Sequence, residues 1–291
     1  MTGAAIGLVL LSALAHASWN YFAKRGRTPE LFTWWMAVSA NLIMAPLAIV
    51  LFIVAAPSAE GWIFILATWL LHIAYFVGLS RAYARTDLSI AYPLARGLGL
   101  MLIPVLGLLW LGETISAEAW IGAALILTGI LTLTWWGRFR ALAARPGRFL
   151  NDTGVRYALA TGIVIAVYSV VDKQGVEHVT PFLYMYFVTA AGTIGMLPFL
   201  VRGFSRAQFA SEWRAYRVTI VAGGLLQFAA YGLVLTAFEL ARVSYVGPFR
   251  EVGIVAGVIM GTLLLKEPFG RGRVFGAGIV AVGAITIAVA P

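Results

Sequence analysis

The chain is divided into ten apolar runs, and this division constrains the fold more than any other feature. Each run is about 17 to 25 residues long, the length of α-helix that crosses roughly 30 Å of hydrocarbon. Short clusters containing Lys, Arg and Pro separate most of the runs. Hydrocarbon offers the backbone no hydrogen-bond partner, so such a segment satisfies its own amides as a helix. The expected helices are 4–23, 31–55, 62–84, 88–111, 119–136, 155–172, 181–201, 218–238, 246–265 and 274–290. Charged residues make up 11% of the chain and apolar residues 61%, whereas a soluble domain is about a quarter charged. The sequence is therefore read as an all-α integral membrane protein with ten transmembrane helices. The run 4–23 has no basic segment before it and no small-residue cleavage site, so it is expected to be a retained first span.

The loops sort by side. Of the 21 Lys and Arg, 17 lie in the loops after the odd-numbered helices; Lys173 and Arg242 lie on the other side; Arg96 and Arg250 lie within spans. Short Lys- and Arg-rich loops stay in the cytoplasm. Both termini are thus expected on the periplasmic or extracellular side of the cell inner membrane. The net charge of +9 comes from these loops, and no nucleic-acid partner is implied.

The second half repeats the first. ASWNYFAKRG at 17–26 aligns with AVYSVVDKQG at 166–175, and TPELF at 28–32 with TPFLY at 180–184. Pro46 falls opposite Pro198 and His72 opposite Gln227. AYARTDLSIAYP at 82–93 aligns with AFELARVSYVGP at 237–248, pairing Ser89 with Ser244, and Glu113 falls opposite Glu267. These matches in one order imply a duplication of five spans. Five is odd, so the second copy enters the membrane inverted, giving a 5+5 inverted-topology repeat. Residues 1–137 would form the first unit, 138–154 an Arg-rich cytoplasmic linker and 155–291 the second unit. Inverted repeats characterise secondary transporters, whose substrates bind near midplane at the repeat interface.

A first helix carrying ALAHASWNYFAKRG, the five-plus-five duplication and a Pro-containing fourth helix ending in LGE resemble the EamA-type, ten-helix branch of the drug/metabolite transporter superfamily, including its YddG-like amino-acid exporters. The resemblance implies a basket in which helices 1–4 and 6–9 surround a central cavity, with helices 5 and 10 outside. It also implies export of small metabolites, among them amino acids, nucleotide precursors and drugs.

Several residues are candidates for contacting substrate. Arg96 and Arg250 each follow a proline inside a span, about 12 Å from opposite faces at 1.5 Å per residue, which predicts that they occupy opposite halves of the membrane. An intramembrane Arg is costly. It either lines the pathway and attracts carboxylates, or snorkels to the nearer interface, or, for Arg250, pairs with the adjacent Glu251. His16 and Asn20, with Trp19 between them, share a face of helix 1; Tyr168 and Ser169 are the repeat counterparts of Trp19 and Asn20. His72 and Tyr75 share a face of helix 3, and Gln227 and Tyr231 a face of helix 8. Asn41 falls opposite Thr193. Such a stripe suits a zwitterion with an apolar or aromatic side chain; taken singly, each residue also fits interhelical hydrogen bonding. Glu113 and Glu267 are read as acceptors for the amides of the helix that follows each, and Asp172 with Lys173 as a local ion pair at the end of helix 6. Glu251 is read as the one acid well inside a span.

The absence of cysteine excludes thiolate sites. No nucleotide-binding loop or histidine–carboxylate motif suggests a cofactor or metal. The expected function is a secondary transporter exporting small amphipathic metabolites, most specifically amino acids, by alternating access. Its partners would be a small-molecule substrate and the lipid bilayer, and the protein would be a monomer or homodimer. A multidrug efflux carrier of the same fold is one alternative. An intramembrane enzyme acting on lipid-like substrates is another, but it lacks the required acid cluster or nucleophile–base pair.

Overall fold

A computed structural model of the chain describes residues 1–136, 151–265 and 270–291, with the backbone alone at 88, 89, 264 and 265. The expected linker therefore lies mostly outside the described residues, as do Lys266 and Glu267. The helices are α1 (Gly3–Ala23), α2 (Pro29–Val54), α3 (Ala59–Tyr83), α4 (Leu88–Leu111), α5 (Ala117–Trp135), α6 (Thr153–Gly175), α7 (Pro181–Gly203) and α8 (Arg206–Leu240). The ninth span is broken into α9 (Val243–Phe249), a 3-10 turn (Arg250–Val252) and α10 (Gly253–Leu265); α11 (Arg271–Val289) follows. Among the described residues, ten spans are long and apolar enough to cross a membrane. Leucines, isoleucines and valines such as Leu42, Ile53, Leu70, Leu109 and Leu263 point outward, where lipid is the solvent.

Local chemistry sets many of the helix ends. Pro29 and Pro181 open α2 and α7, where a missing N–H costs nothing. Ser58, Ser116 and Asp152 accept from Gly61 N, Ala119 N and Val155 N. Gly112 closes α4 with φ +65°, a conformation that suits glycine.

Two elements depart from the sequence reading. α8 begins at Arg206 instead of 218, because Ser205 and Gln208 form a reciprocal capping box and Trp213 and Tyr216 pack on Phe32 and Trp35. Polar residues conceal these three extra turns. In the ninth span Pro248 supplies no amide to the helical ladder, and the 3-10 turn follows directly.

Eight spans close a ring in the order α1, α8, α2, α7, α3, α6, α4 and the ninth span, which returns to α1. Every neighbour around this ring comes from the other five-span unit, so the two halves interdigitate. The fold is a 5+5 inverted repeat: α5 and α11 pack on each other outside the ring, beside α4 and the ninth span.

Reciprocal contacts form where paired spans cross. A Cβ at Gly122 would come 2.8 Å from the Gly283 carbonyl, and one at Gly129 would come 2.7 Å from the Gly276 carbonyl. Asn41 Nδ2 donates to its counterpart Thr193 Oγ1 at 3.0 Å, joining α2 to α7.

Glu113 is a cap across the repeat. Its carboxylate accepts from Val243 N at 2.8 Å, Ser244 N at 3.0 Å and the Ser244 hydroxyl. It thus serves the start of α9, and the expectation that it serves the following helix α5 is corrected. Side-chain oxygens reach amides of whichever helix starts within a few ångströms, and repeat interdigitation puts α9 there. Glu113→Ala should lower stability by about 1 to 2 kcal/mol, in the range of lost N-caps; the thermal midpoint of the detergent-solubilised protein measures this.

Candidate substrate site

Arg96 and the ninth span meet inside the ring. Arg96 Nη2 lies 2.8 Å from Glu251 Oε1 and 3.0 Å from Oε2. Arg250 Nε is 3.7 Å from the same Oε1, too far for a hydrogen bond. The side chains of Glu251, Arg250 and Arg96 are 3%, 10% and 19% exposed.

The expectation that the two arginines occupy opposite halves is corrected: both guanidinium groups reach one carboxylate. Cα positions about 12 Å in from either face of a roughly 30 Å layer are only about 6 Å apart along the normal, and long side chains cover that gap. Counting from the matched prolines explains the encounter. Arg96 is the third residue after Pro93, and Glu251 is the third after Pro248. Repeat-equivalent positions on crossing spans meet, and here they carry opposite charges.

Two cations share one anion. The Nε atoms of Arg96 and Arg250 are buried without a hydrogen-bond partner, so the cluster carries one surplus positive charge and unused donors. A buried ion pair is stable only when further hydrogen bonds satisfy it.

Aromatic groups stand around this cluster. His16 on α1 lies within electrostatic reach of both guanidinium groups. Trp19 Nε1 donates to His16 Nδ1 at 3.3 Å, with the rings edge-on at 5.0 Å. His72 Nδ1 lies 2.9 Å from the Thr68 carbonyl. The Thr68 hydroxyl lies 3.0 Å from the same nitrogen, so Nδ1 either donates to the carbonyl or accepts from the hydroxyl according to its tautomer. The His72 ring lies 4.6 Å from that of Tyr168 and 6.3 Å from that of Tyr231. Tyr75 meets Tyr168 edge-on at 6.0 Å. Tyr168 and Tyr231 are both within electrostatic reach of Arg250. Side chains from α1, α3, α4, α6, α8 and the ninth span thus converge.

Other expected residues are occupied differently. The Asn20 amide donates to the His16 carbonyl at 2.8 Å. Ser169 is fully buried and donates back to the Ile165 carbonyl at 2.7 Å. One residue from Tyr168, it points 100° away around the helix. Asn41 serves the α2–α7 crossing, with Oδ1 unpartnered, and Gln227 Oε1 is buried without a partner.

Asp172 also departs from expectation. It is 0% exposed and bonded by two tyrosines, whereas Lys173 turns to the Phe238 carbonyl at 2.5 Å and Glu177 at 3.7 Å. Adjacent helical residues point about 100° apart, so neighbouring opposite charges need not pair. Asp172 is thus a fully buried acid in the last turn of α6. The sequence hint was the repeat itself, which sets Asp172 opposite the apolar Ala23.

The EamA-like transporter family matches the chain over residues 3–135 and again over 152–289. The chain belongs to that family. Each match covers one five-span unit, as the EamA duplication requires. A curated relative, nicotine metabolites export pump subunit NepA of Paenarthrobacter nicotinovorans, is 40% identical over 63 residues, which are 22% of this chain and 54% of that protein. The chain thus aligns with about half the length of this relative. A solved structure described only as a crystal structure of a protein superposes with a TM-score of 0.73 at 16% identity, covering 99% of this chain and 98% of the other. That likeness concerns the fold alone. This EamA protein is a multi-pass membrane protein of a transporter family.

Proposed function

We propose that this protein is a secondary carrier that exports small amphipathic metabolites carrying a carboxylate, amino acids above all, across the cell inner membrane by alternating access. The observation behind this reading is the Arg96–Glu251–Arg250 cluster inside the ring, with two guanidinium groups against one carboxylate. Arg250 lacks a hydrogen-bonded anion and is the natural partner for a substrate carboxylate. Glu251 keeps Arg96 compensated and offers acceptor oxygens to a substrate ammonium. Tyr75, Tyr168, Tyr231, His72, His16 and Trp19 supply an aromatic wall for the remaining side chain. The surplus positive charge favours this reading over a multidrug carrier, since a cationic drug would be repelled. The export direction follows the family and the printed name of NepA.

The termini would face the periplasm or exterior, and the two interdigitated units would exchange inward-open and outward-open packings. Impermeant labelling of terminal tags in intact cells tests the sidedness, and labelling only after lysis would reverse it.

Counterflow of labelled amino acids in proteoliposomes tests the function. Exchange is expected with the parent protein. Arg250→Gln should reduce it by roughly 30- to 1000-fold, because truncating one partner of a buried charge pair costs about 2 to 4 kcal/mol. A correctly folded Arg250→Gln protein with parental counterflow would remove the carboxylate anchor from this scheme. Parent protein that moves only cationic dyes would favour the multidrug alternative.

A further inference from the structure

Asp172 touches the proposed substrate wall through Tyr231 and joins three helices. Tyr184 on α7 donates to Oδ1 at 2.9 Å and Tyr231 on α8 donates to Oδ2 at 2.5 Å. In the ring order α6 and α8 stand on opposite sides, so the Tyr231–Asp172 bond crosses the interior near the face where α6 ends and α8 ends. The carboxylate is completely buried, and both of its donors are neutral. Buried carboxylates usually face a cation. One held only by phenols can gain a proton without leaving a partner charge uncompensated.

The surroundings accommodate both forms. When Asp172 is ionised, both phenols donate to it. When a proton binds Oδ1, the new O–H donates to the Tyr184 oxygen, and the Tyr184 hydroxyl turns to the Phe64 carbonyl on α3, already 3.3 Å away. Tyr231 continues to donate to Oδ2. No proton is left over and no donor is stranded. The protonated form gains a bond from α7 to α3 and avoids burying a charge, so it favours the closed face; the ionised form is better served by water entering through an opened one. The repeat lacks a matching device, since Asp172, Tyr184 and Tyr231 fall opposite Ala23, Phe32 and Phe76. Among the described residues, this arrangement stands on one face.

We propose that Asp172 is a proton-binding site whose occupancy holds this face of the transporter shut. Proton binding and opening of the face are then linked, each opposing the other by the same factor.

Other charged and titratable groups lie around the site. They are Lys173 and Tyr168 on α6, with Glu177 just beyond it; Glu239 on α8, which acts on Lys173; His72 on α3; and Arg250 of the ninth span. His178 pairs with Glu60 at 3.4 Å on the same face, so the experiment uses a His178→Gln background. The chain has no cysteine, so Glu177→Cys and Leu240→Cys introduce its only thiols, just past α6 and at the end of α8. Spin labels there report the distance across the ring in lipid nanodiscs of the full chain.

Raising pH from about 5 to about 8 should shift the labels several-fold towards a longer-distance population. Asp172→Asn should hold the short distance at every pH, and infrared difference spectra between the two pH values should lose a protonated-carboxyl band. Tyr184→Phe removes the bond to Phe64 while leaving the acid in place; it should favour the longer distance at low pH and retain the band. The Tyr184 variant tests the site even if Asp172→Asn does not fold. A parental distance shift surviving in Asp172→Asn, a carboxyl band unaffected by that change, or no pH response in the parent protein would overturn the proposal.

Discussion

Glu251→Ala is expected to destabilise the protein by about 3 to 5 kcal/mol, the cost of removing one partner from a buried charge pair. The side chain is 3% exposed and approaches both Arg96 and Arg250. Removing it leaves two guanidinium groups facing each other inside the ring with no anion between them. Thermal unfolding in detergent and the yield of monodisperse protein measure the effect. The double variant Arg96→Gln, Glu251→Gln should recover much of the loss, because it removes one charge of each sign and leaves two neutral amides that can bond across α4 and the ninth span. A single Arg96→Gln change should fall between these cases, since Glu251 would retain Arg250 within 3.7 Å. A Glu251→Ala protein as stable as its parent would mean that other contacts, not this carboxylate, hold α4 to the ninth span.

The same cluster shows how far the sequence could be read. The duplication was legible because short matched segments such as TPELF and TPFLY keep their order, and an odd number of spans per unit forces inversion. From that, crossing spans with equivalent positions in contact follow by geometry, as at Asn41 and Thr193. The Arg96–Glu251 contact was latent in the same alignment. Arg96 and Arg250 look alike, and matching them by residue type hides the fact that Glu251 stands in register with Arg96. Chemistry at an inverted-repeat axis is set by register, and complementary charges there leave no signal in residue similarity. Asp172 was obscured differently: beside Lys173 at a helix end it reads as a solvated pair, and only the positions of Tyr184 and Tyr231 on other helices show that it is interior. The added turns of α8 were hidden because charged and polar residues interrupt the apolar ones between Arg206 and Arg217, although a capping box and a tryptophan contact make them helical. Short-range chemistry was therefore readable, whereas the partners of buried charges depend on packing between helices far apart in sequence.

Gly129→Leu should produce a comparably large loss, at a site remote from any charge. On α5 a Cβ at this position would lie 2.7 Å from the Gly276 carbonyl and 2.8 Å from Val280 N on α11. Both are backbone atoms of a continuous helix, so rotamer changes cannot relieve the clash, and the helices must separate. Overpacking a tight interface typically costs about 1 to 3 kcal/mol and occasionally more; here the upper part of that range is expected, because close α5–α11 packing is lost along several turns. In lipid no water-driven apolar effect compensates, since association between helices rests on van der Waals fit. Gly278→Leu is the control: it lies on the same α11 but has nothing within 4 Å of an added Cβ, and should leave the thermal midpoint unchanged. Because α5 and α11 stand outside the ring, Gly129→Leu protein that does survive at low temperature should still bind substrate with parental affinity while unfolding earlier. Equal midpoints for Gly129→Leu and Gly278→Leu would show that the glycine contacts are not what joins the two units there, and the inverted pair would have to be held by its crossings at α2–α7 and at α4 with the ninth span.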